Sequence, residues 1–332
     1  MAAAGVELLA GLDRLAVLGF AEVVRHLPDL LRLRKEVREF ILRENVDLLV
    51  PIDYPGFNLP LAEWTHQRGI PVVYYIAPQV WAWHESRARR LARISDEVCV
   101  VLPFETAFLE SYGARVRFVG HPLLDRKASQ TPVVRRSTET RGGPVLGLFP
   151  GSRAQEVRRM LPEFLDAASR LADGIPDLKI SVARSADLPE SLFESCPAGS
   201  VSTPEAVASE ATAAITKSGT ITLQLALADV PMVVGYRVNA LTASIARRLL
   251  RIPHIALVNL VAERGVVPEH IQTEMTGERL AAAAAPLLEF GSMEREAVLD
   301  GLDEVRSLLG EPGAADRVAD SCVTALATGA KP

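Results

Sequence analysis

The stretch VLGLFPGSRAQEV, residues 145–157, decides how the fold is read. Its apolar opening, VLGLFP, reads as a buried strand, and SRAQEVRRMLPEFLDAASRLADG, residues 152–174, reads as a helix. Pro150, Gly151, Ser152 and Arg153 join the two. Gly151 allows the backbone to approach a ligand closely, the first helical N–H groups lack intrahelical partners, and Arg153 adds a permanent positive charge. Such a junction suits an anion, although a plain helix cap has the same composition.

The same alternation extends along the chain. Downstream, DLKISVA, ATAAITK and PMVVGY read as strands and GTITLQLALAD as a helix. Upstream, VDLLVPID, PVVYYIAP, DEVCVVLP and ARVRFVGHP read as strands, with helices in NLPLAEWTHQRG, HESRARRLARI and FETAFLESYG. Val/Ile/Leu-rich strands alternating with helices imply parallel sheets covered on both faces. The expected fold class is therefore α/β, with two Rossmann-like, doubly wound domains whose ligands lie beyond the carboxyl ends of the strands, in a cleft. The polar, Pro/Gly/Ser/Thr-rich DRKASQTPVVRRSTETRGGP suggests a linker. The expected divisions are 1–125, a linker over 126–143, a second domain over 144–305 and a helical segment over 306–332. Apolar residues recur at helical spacing from Leu15 to Arg43, with Pro28 expected to break or kink the run, and helices are expected from Glu278 to Ala327.

Composition limits the function classes. A chain of 332 residues favours two domains, and 48% hydrophobic with 23% charged residues is ordinary for a globular protein. A net charge of −5 argues against general nucleic-acid binding, so anions must be met by local charge. Cys99, Cys196 and Cys322 are widely spaced and match neither a disulfide framework nor a metal site, which points to a reducing compartment. No apolar run reaches the ~20 residues of a membrane helix, and the start lacks the pattern of a secretion signal.

A second junction, TKSGTITLQLAL (216–227), repeats the first with Ser218, Gly219 and Thr220 ahead of a helix. Two anion-receptive helix starts in one domain suggest a diphosphate or nucleotide, but no Gly-Lys-Ser/Thr follows a glycine-rich stretch, so neither is a P-loop. Beyond Tyr236, Arg237 and Asn259 follow strand-like runs and would reach a cleft, while Glu269 and Gln272 are expected in a helix. Glu269 could accept hydrogen bonds from ribose hydroxyls. Taken singly, each of these reads more readily as an ordinary surface polar residue.

In the first half, VPIDYPGFN puts Asp53 at a strand end, where a carboxylate can take a proton from a hydroxyl nucleophile or merely cap a turn. FVGHPLLD places His121 similarly, to meet phosphate, orient a substrate oxygen or fill a turn. In IAPQVWAWHESRARRLARI (76–94), Gln79, Trp81 and Trp83 form a loop above a strand end, followed by Arg87 and Arg90 on a helix. The rings either pack the loop or stack on sugar and acyl surfaces, and the arginines form either a solvated face or a phosphate contact. The Leu15, Val17, Leu18 and Phe20 side chains beside Arg25, Arg32, Arg34 and Lys35 fit either a core-facing helix or a surface for acidic lipid.

Taken in order, IDYPGFN, YYIAPQVWAW, LPFE, FVGHPLLD, LFPGSRAQE, SGTITLQLAL, PMVVGYR and VNLVAERGVVPEHIQ resemble lipid-A-disaccharide synthase, an inverting glycosyltransferase family of GT-B fold. The resemblance covers nearly the whole chain. It implies transfer of 2,3-diacylglucosamine from UDP-2,3-diacylglucosamine to 2,3-diacylglucosamine 1-phosphate through a β-1,6 bond, releasing UDP. It implies Asp53 as general base on the acceptor hydroxyl. Gly151, Ser152, Arg153, Ser218, Gly219, Thr220, Tyr236, Arg237, Asn259, Glu269 and Gln272 fall on the donor side. Gln79, Trp81, Trp83, Arg87, Arg90 and His121 fall on the acceptor and lipid side. No metal or other cofactor is implied, because helix-start amides and Arg can stabilise the departing diphosphate.

The implied place of action is the cytoplasmic face of the inner membrane of a Gram-negative cell, by peripheral association. Homodimers through C-terminal exchange occur in the family and are left open here. Relatives are expected to begin with a strand and a Gly-Glu-(Ser/Pro)-Ser-Gly-Asp loop that this sequence does not show, so the first βα unit is expected to be missing. Gln224 and Glu263 stand where Glu and Gly are common. Another UDP-sugar GT-B enzyme, a UDP-sugar epimerase or a non-catalytic UDP-sugar-binding remnant are the competing readings.

Overall fold

The computed structural model describes residues 5–11, 20–79, 81, 85–127, 143–239 and 253–329. It divides into two units, Met1–Val119 with Gly313–Pro332, and Gly120–Pro312.

In the first unit, helix α1 (Phe20–Arg43) continues through Pro28 without the expected break. Leu30, Leu33 and Ile41 make one apolar stripe that packs on Phe57 and Leu61 of α2 (Pro55–His66), while Leu31 and Leu42 face outward. Strands β1 (Val73–Tyr75), β2 (Glu97–Val100) and β3 (Val116–Phe118) form a parallel sheet in that order, with α3 (Glu85–Ile94) and α4 (Phe104–Glu110) between them. The segment expected as a strand at 46–53 runs beside β1 only through two parallel bridges, Leu49 to Val72 and Ile52 to Tyr75. Pro51 supplies no N–H there, which interrupts the ladder. Tyr74, Leu91, Val98 and Leu109 close the core.

The second unit runs from Gly120, and within it the His121 N–H bonds the Leu309 carbonyl at 3.0 Å. It opens with α5 (Pro122–Lys127), and the linker expected over 126–143 lies mostly outside the described residues. Its sheet is wholly parallel, in the order β6-β5-β4-β7-β8-β9: Val201–Ser202, Lys179–Ala183, Val145–Phe149, Ala213–Thr216, Met232–Tyr236 and Glu269–Ile271. This is the doubly wound arrangement expected from the sequence. Helix α6 (Ala154–Gly174) buries Val157, Met160, Phe164 and Leu171; α7 (Pro204–Glu210), α8 (Thr220–Leu227), α9 (Leu257–Val261), α10 (Gly277–Leu288) and α11 (Met293–Leu308) complete the layers.

The last helix, α12 (Ala314–Gly329), returns to the first unit. It lies against β1 and β2. Arg317 Nε donates to the Val119 carbonyl at 2.8 Å, and Arg117 donates to the Ser321 hydroxyl at 3.1 Å.

Candidate active site

Strands β4 and β7 pair directly, with Phe149 opposite Thr216, so the loops after them leave the same sheet edge. In the first loop Gly151 has φ 127°, and a Cβ there would come within 2.5 Å of the Glu156 carboxylate. No other residue type fits without moving Glu156. In the second loop Gly219 has φ 146° and caps α8.

Glu156 turns back over the start of its own helix. Its carboxylate accepts from the Ser152 N–H at 3.2 Å, lies 3.4 Å from Lys217 Nζ and 3.7 Å from an Arg153 guanidinium nitrogen. A carboxylate therefore sits among free helix-start amides and two cations from two loops, which is the environment an anionic ligand requires. Tyr236, at the end of β8, belongs to the same cluster. Burial raises its phenol pKa, the Glu156 carboxylate raises it further, and Arg153 and Arg159 oppose the rise. Lys217 was missed in the sequence, where TKSGT was read for its glycine; a basic residue directly before a strand-end SGT was the available signal.

The remaining donor-side residues form a scaffold around this cluster. The Ser218 hydroxyl donates to the Ile255 carbonyl at 2.6 Å, and Thr220 is exposed on the first turn of α8. Asn259 lies within α9 rather than after a strand and is fully buried. Its amide donates to the Val267 carbonyl and to Glu269, and accepts from the Val266 and Val267 N–H groups, which uses its full capacity. Glu269 lies on β9 and Gln272 in a single 3-10 turn, not in the expected helix, since β9 completes the sheet beside β8. The Glu269 carboxylate accepts from the Ile255 and Ala256 N–H groups at 3.0 and 2.9 Å. With its amide turned so that the nitrogen meets the Val238 carbonyl and the oxygen the Val238 N–H, Gln272 pairs with that main chain at 3.1 and 3.2 Å. Arg237 bonds Glu163 at 3.0 Å and the carbonyls of Gln272 and Met275, so it ties the end of β8 to α6 and the segment before α10.

In the first unit, Asp53 stands at the carboxyl end of the segment beside β1. Asp53 and Tyr54 are both left-handed, with φ of 48° and 44°. Consecutive non-glycine residues of this kind are strained, and such strain needs support from the surroundings. The support is present: the Asp53 N–H bonds the Tyr75 carbonyl at 3.0 Å, and the Asp53 carbonyl accepts from the Tyr74 hydroxyl at 2.9 Å and from Asn58 Nδ2 at 2.7 Å. The Asp53 side chain is left at the surface.

Beside it, Trp81 packs edge-on to Phe104 at 5.0 Å and donates its indole N–H to Glu105 at 3.2 Å. Glu105, 2% exposed, also accepts from the Leu102 N–H. Burial pushes its pKa up to about 7 against the pull of these donors, and the Asp53 charge adds to the rise. Sequence reasoning quoted LPFE only as part of the resemblance and gave Glu105 no role. Gln79 is exposed, Trp83 lies outside the described residues, and Arg90 pairs with Glu63. Arg87 is close enough to Tyr74 to offset part of the rise that burial imposes on its phenol. His121 opens the second unit; it is buried, its Nδ1 accepts from the Leu123 N–H, and burial lowers its pKa to about 4. Burial therefore favours its neutral form.

Two units, each built on a parallel sheet, the second with anion-receptive helix starts at its strand ends, give the fold class of GT-B proteins. The glycosyltransferase of kitacinnamycin has a similar structure, with a TM-score of 0.63 and 19% identity over 97% of this chain and 87% of that one. A UDP-GlcNAc 2-epimerase from Neisseria meningitidis bound to UDP-GlcNAc gives 0.62 and 11% identity over 93% and 83%. Within that class the chain belongs to the lipid-A-disaccharide synthetase family, whose model matches residues 1–313. It is 39% identical to the lipid-A-disaccharide synthase of Anaeromyxobacter dehalogenans (strain 2CP-C), over 96% of this chain and 85% of that protein. It is 37% identical to that of Myxococcus xanthus (strain DK1622), over 99% and 88%. Among the described residues no helix is long and apolar enough to cross a membrane.

Proposed function

We propose that the chain transfers 2,3-diacylglucosamine from UDP-2,3-diacylglucosamine to 2,3-diacylglucosamine 1-phosphate, forming a β-1,6 bond and releasing UDP at the cytoplasmic surface of the inner membrane. Family membership supports the reaction class, and the UDP-GlcNAc bound to the epimerase neighbour supports a nucleotide-sugar donor. The observation that carries the donor site is the Glu156 carboxylate held by the Ser152 N–H, Lys217 and Arg153. A diphosphate recruits the same donors more strongly than a carboxylate does, because it brings more negative charge.

In this reading Gly151, Ser152, Arg153 and Ser218 to Thr220 hold the diphosphate as negative charge develops on the leaving UDP. Asn259 orders Glu269, and Glu269 orders the 255–256 turn; both serve the site as positioning residues. Asp53 takes the proton from the attacking hydroxyl, its main chain fixed by Tyr74 and Asn58. The test is UDP release by the purified chain supplied with both substrates, with Asp53→Asn alongside. UDP produced by the parent chain and lost in the variant supports the reading. A folded parent chain that binds UDP and never turns over both substrates would falsify it.

A further inference from the structure

Arg34 and Arg38 of α1 lie one turn apart and face α2 together with Arg90 of α3. Among the described residues only Glu63, bonded to Arg90, brings a carboxylate to the group. Arg34 reaches the Gly56 carbonyl and Arg38 the Pro60 carbonyl, each at the 3.4 Å limit of a hydrogen bond. Their guanidinium groups lie over aromatic rings, Arg34 over Phe57 at 5.7 Å and Arg38 over Trp64 at 5.2 Å. The Nε atoms of Arg34, Arg38 and Arg90 are all buried without an acceptor. Burial and the charges of Arg38 and Arg90 lower the pKa of Arg34, so the three crowd one another.

Buried guanidinium donors without acceptors are uncommon, and like charges do not gather without something to offset them. Three guanidiniums against one carboxylate leave two positive charges, the complement of a phosphate monoester, and arginine's planar fork suits phosphate oxygens. Gly56, whose carbonyl Arg34 reaches, lies three residues beyond Asp53 in the chain.

We propose that Arg34, Arg38 and Arg90 form a phosphate-binding site against α2, the helix that follows Asp53 in the chain. The proposal rests on the reading of Asp53 given above for its connection to chemistry, but not for the site itself. The phosphate belongs either to the sugar-lipid acceptor or to the headgroup of an anionic lipid, and two arms of one experiment separate these sources.

In the first arm, calorimetry compares binding of 2,3-diacylglucosamine 1-phosphate with that of 2,3-diacylglucosamine in neutral detergent, for the parent chain, Arg34→Gln/Arg38→Gln and Arg34→Lys/Arg38→Lys. The second arm measures flotation of the same proteins with phosphatidylglycerol and with phosphatidylcholine vesicles. We expect a preference of about tenfold or more for the phosphorylated sugar, about 1.4 kcal/mol, abolished by the Gln pair and partly kept by the Lys pair. Loss of phosphatidylglycerol flotation alone assigns the site to lipid headgroups. A folded Gln pair, with unchanged circular dichroism, that alters neither arm overturns the proposal. Arg34→Gln alone serves if the pair does not fold. A parent chain that prefers the phosphorylated sugar yet never releases UDP removes the transferase reading and leaves this site standing.

Discussion

The hydroxyl of Tyr74, itself fully buried, donates to the main-chain carbonyl of Asp53 at 2.9 Å and so fixes a backbone held in the left-handed region. Tyr74→Phe removes that bond and leaves the carbonyl with Asn58 alone. We expect a stability loss of about 1 kcal/mol by urea denaturation. Turnover should fall roughly tenfold or more with little change in donor KM, because a displaced base lowers the chemical step. An unchanged kcat would show that Asp53 does not depend on this support.

Asp53→Asn keeps a residue that tolerates the left-handed conformation and removes the carboxylate charge. The loss of kcat should be about a hundredfold to ten-thousandfold, the range of a general base. UDP affinity, measured by calorimetry, should stay at the parent value.

Lys217 pairs with Glu156 in the α6 cluster. Lys217→Met should weaken UDP binding by about tenfold, the equivalent of 1.4 kcal/mol, and leave uridine binding alone, since the lysine is placed to meet phosphate and not base. Equal weakening of both ligands would count against a diphosphate at this position.

Glu105 gives the first unit a pH signature. Its folded pKa is raised from 4.5 to about 7, so the folded state holds this proton more tightly than the unfolded chain does. The stabilisation is complete below 4.5 and disappears as the pH rises through about 7. Melting temperatures recorded between pH 5 and 8 should therefore fall more steeply for the parent chain than for Glu105→Gln, which cannot titrate. Parallel curves would remove Glu105 as the source.

Much of this architecture was legible in the sequence because buried parallel strands leave unbroken Val/Ile/Leu runs, as in VLGLF and MVVGY. The helix starts were equally visible: Gly151 and Gly219 mark the only backbone forms those turns permit. Segments with little periodicity were harder. EHI, at Glu269–Ile271, is too short and polar to read as a strand, and only its pairing with β8 makes it one. Asn259 and Arg237 were picked out as polar residues near strand ends, but whether they face a ligand or their own fold depends on partners such as Val267 and Glu163 that local sequence does not reveal. In the sequence Arg34 stood with Arg32 and Lys35 in one basic group and Arg38 was not singled out; only the packing of α2 against α1 separates Arg34 and Arg38 from the exposed Arg32 and Lys35.

The return of α12 to the first sheet sets the order in which the chain can mature on a ribosome. Arg117 waits for Ser321, and Val119 for Arg317, across 204 and 198 positions. At about 5–20 residues per second, β1 and β2 spend roughly ten to forty seconds without the helix that covers them, while the whole second sheet is being made. The first half to be synthesised is thus the last to be finished, and its interval of exposure is when a chaperone would have most to do.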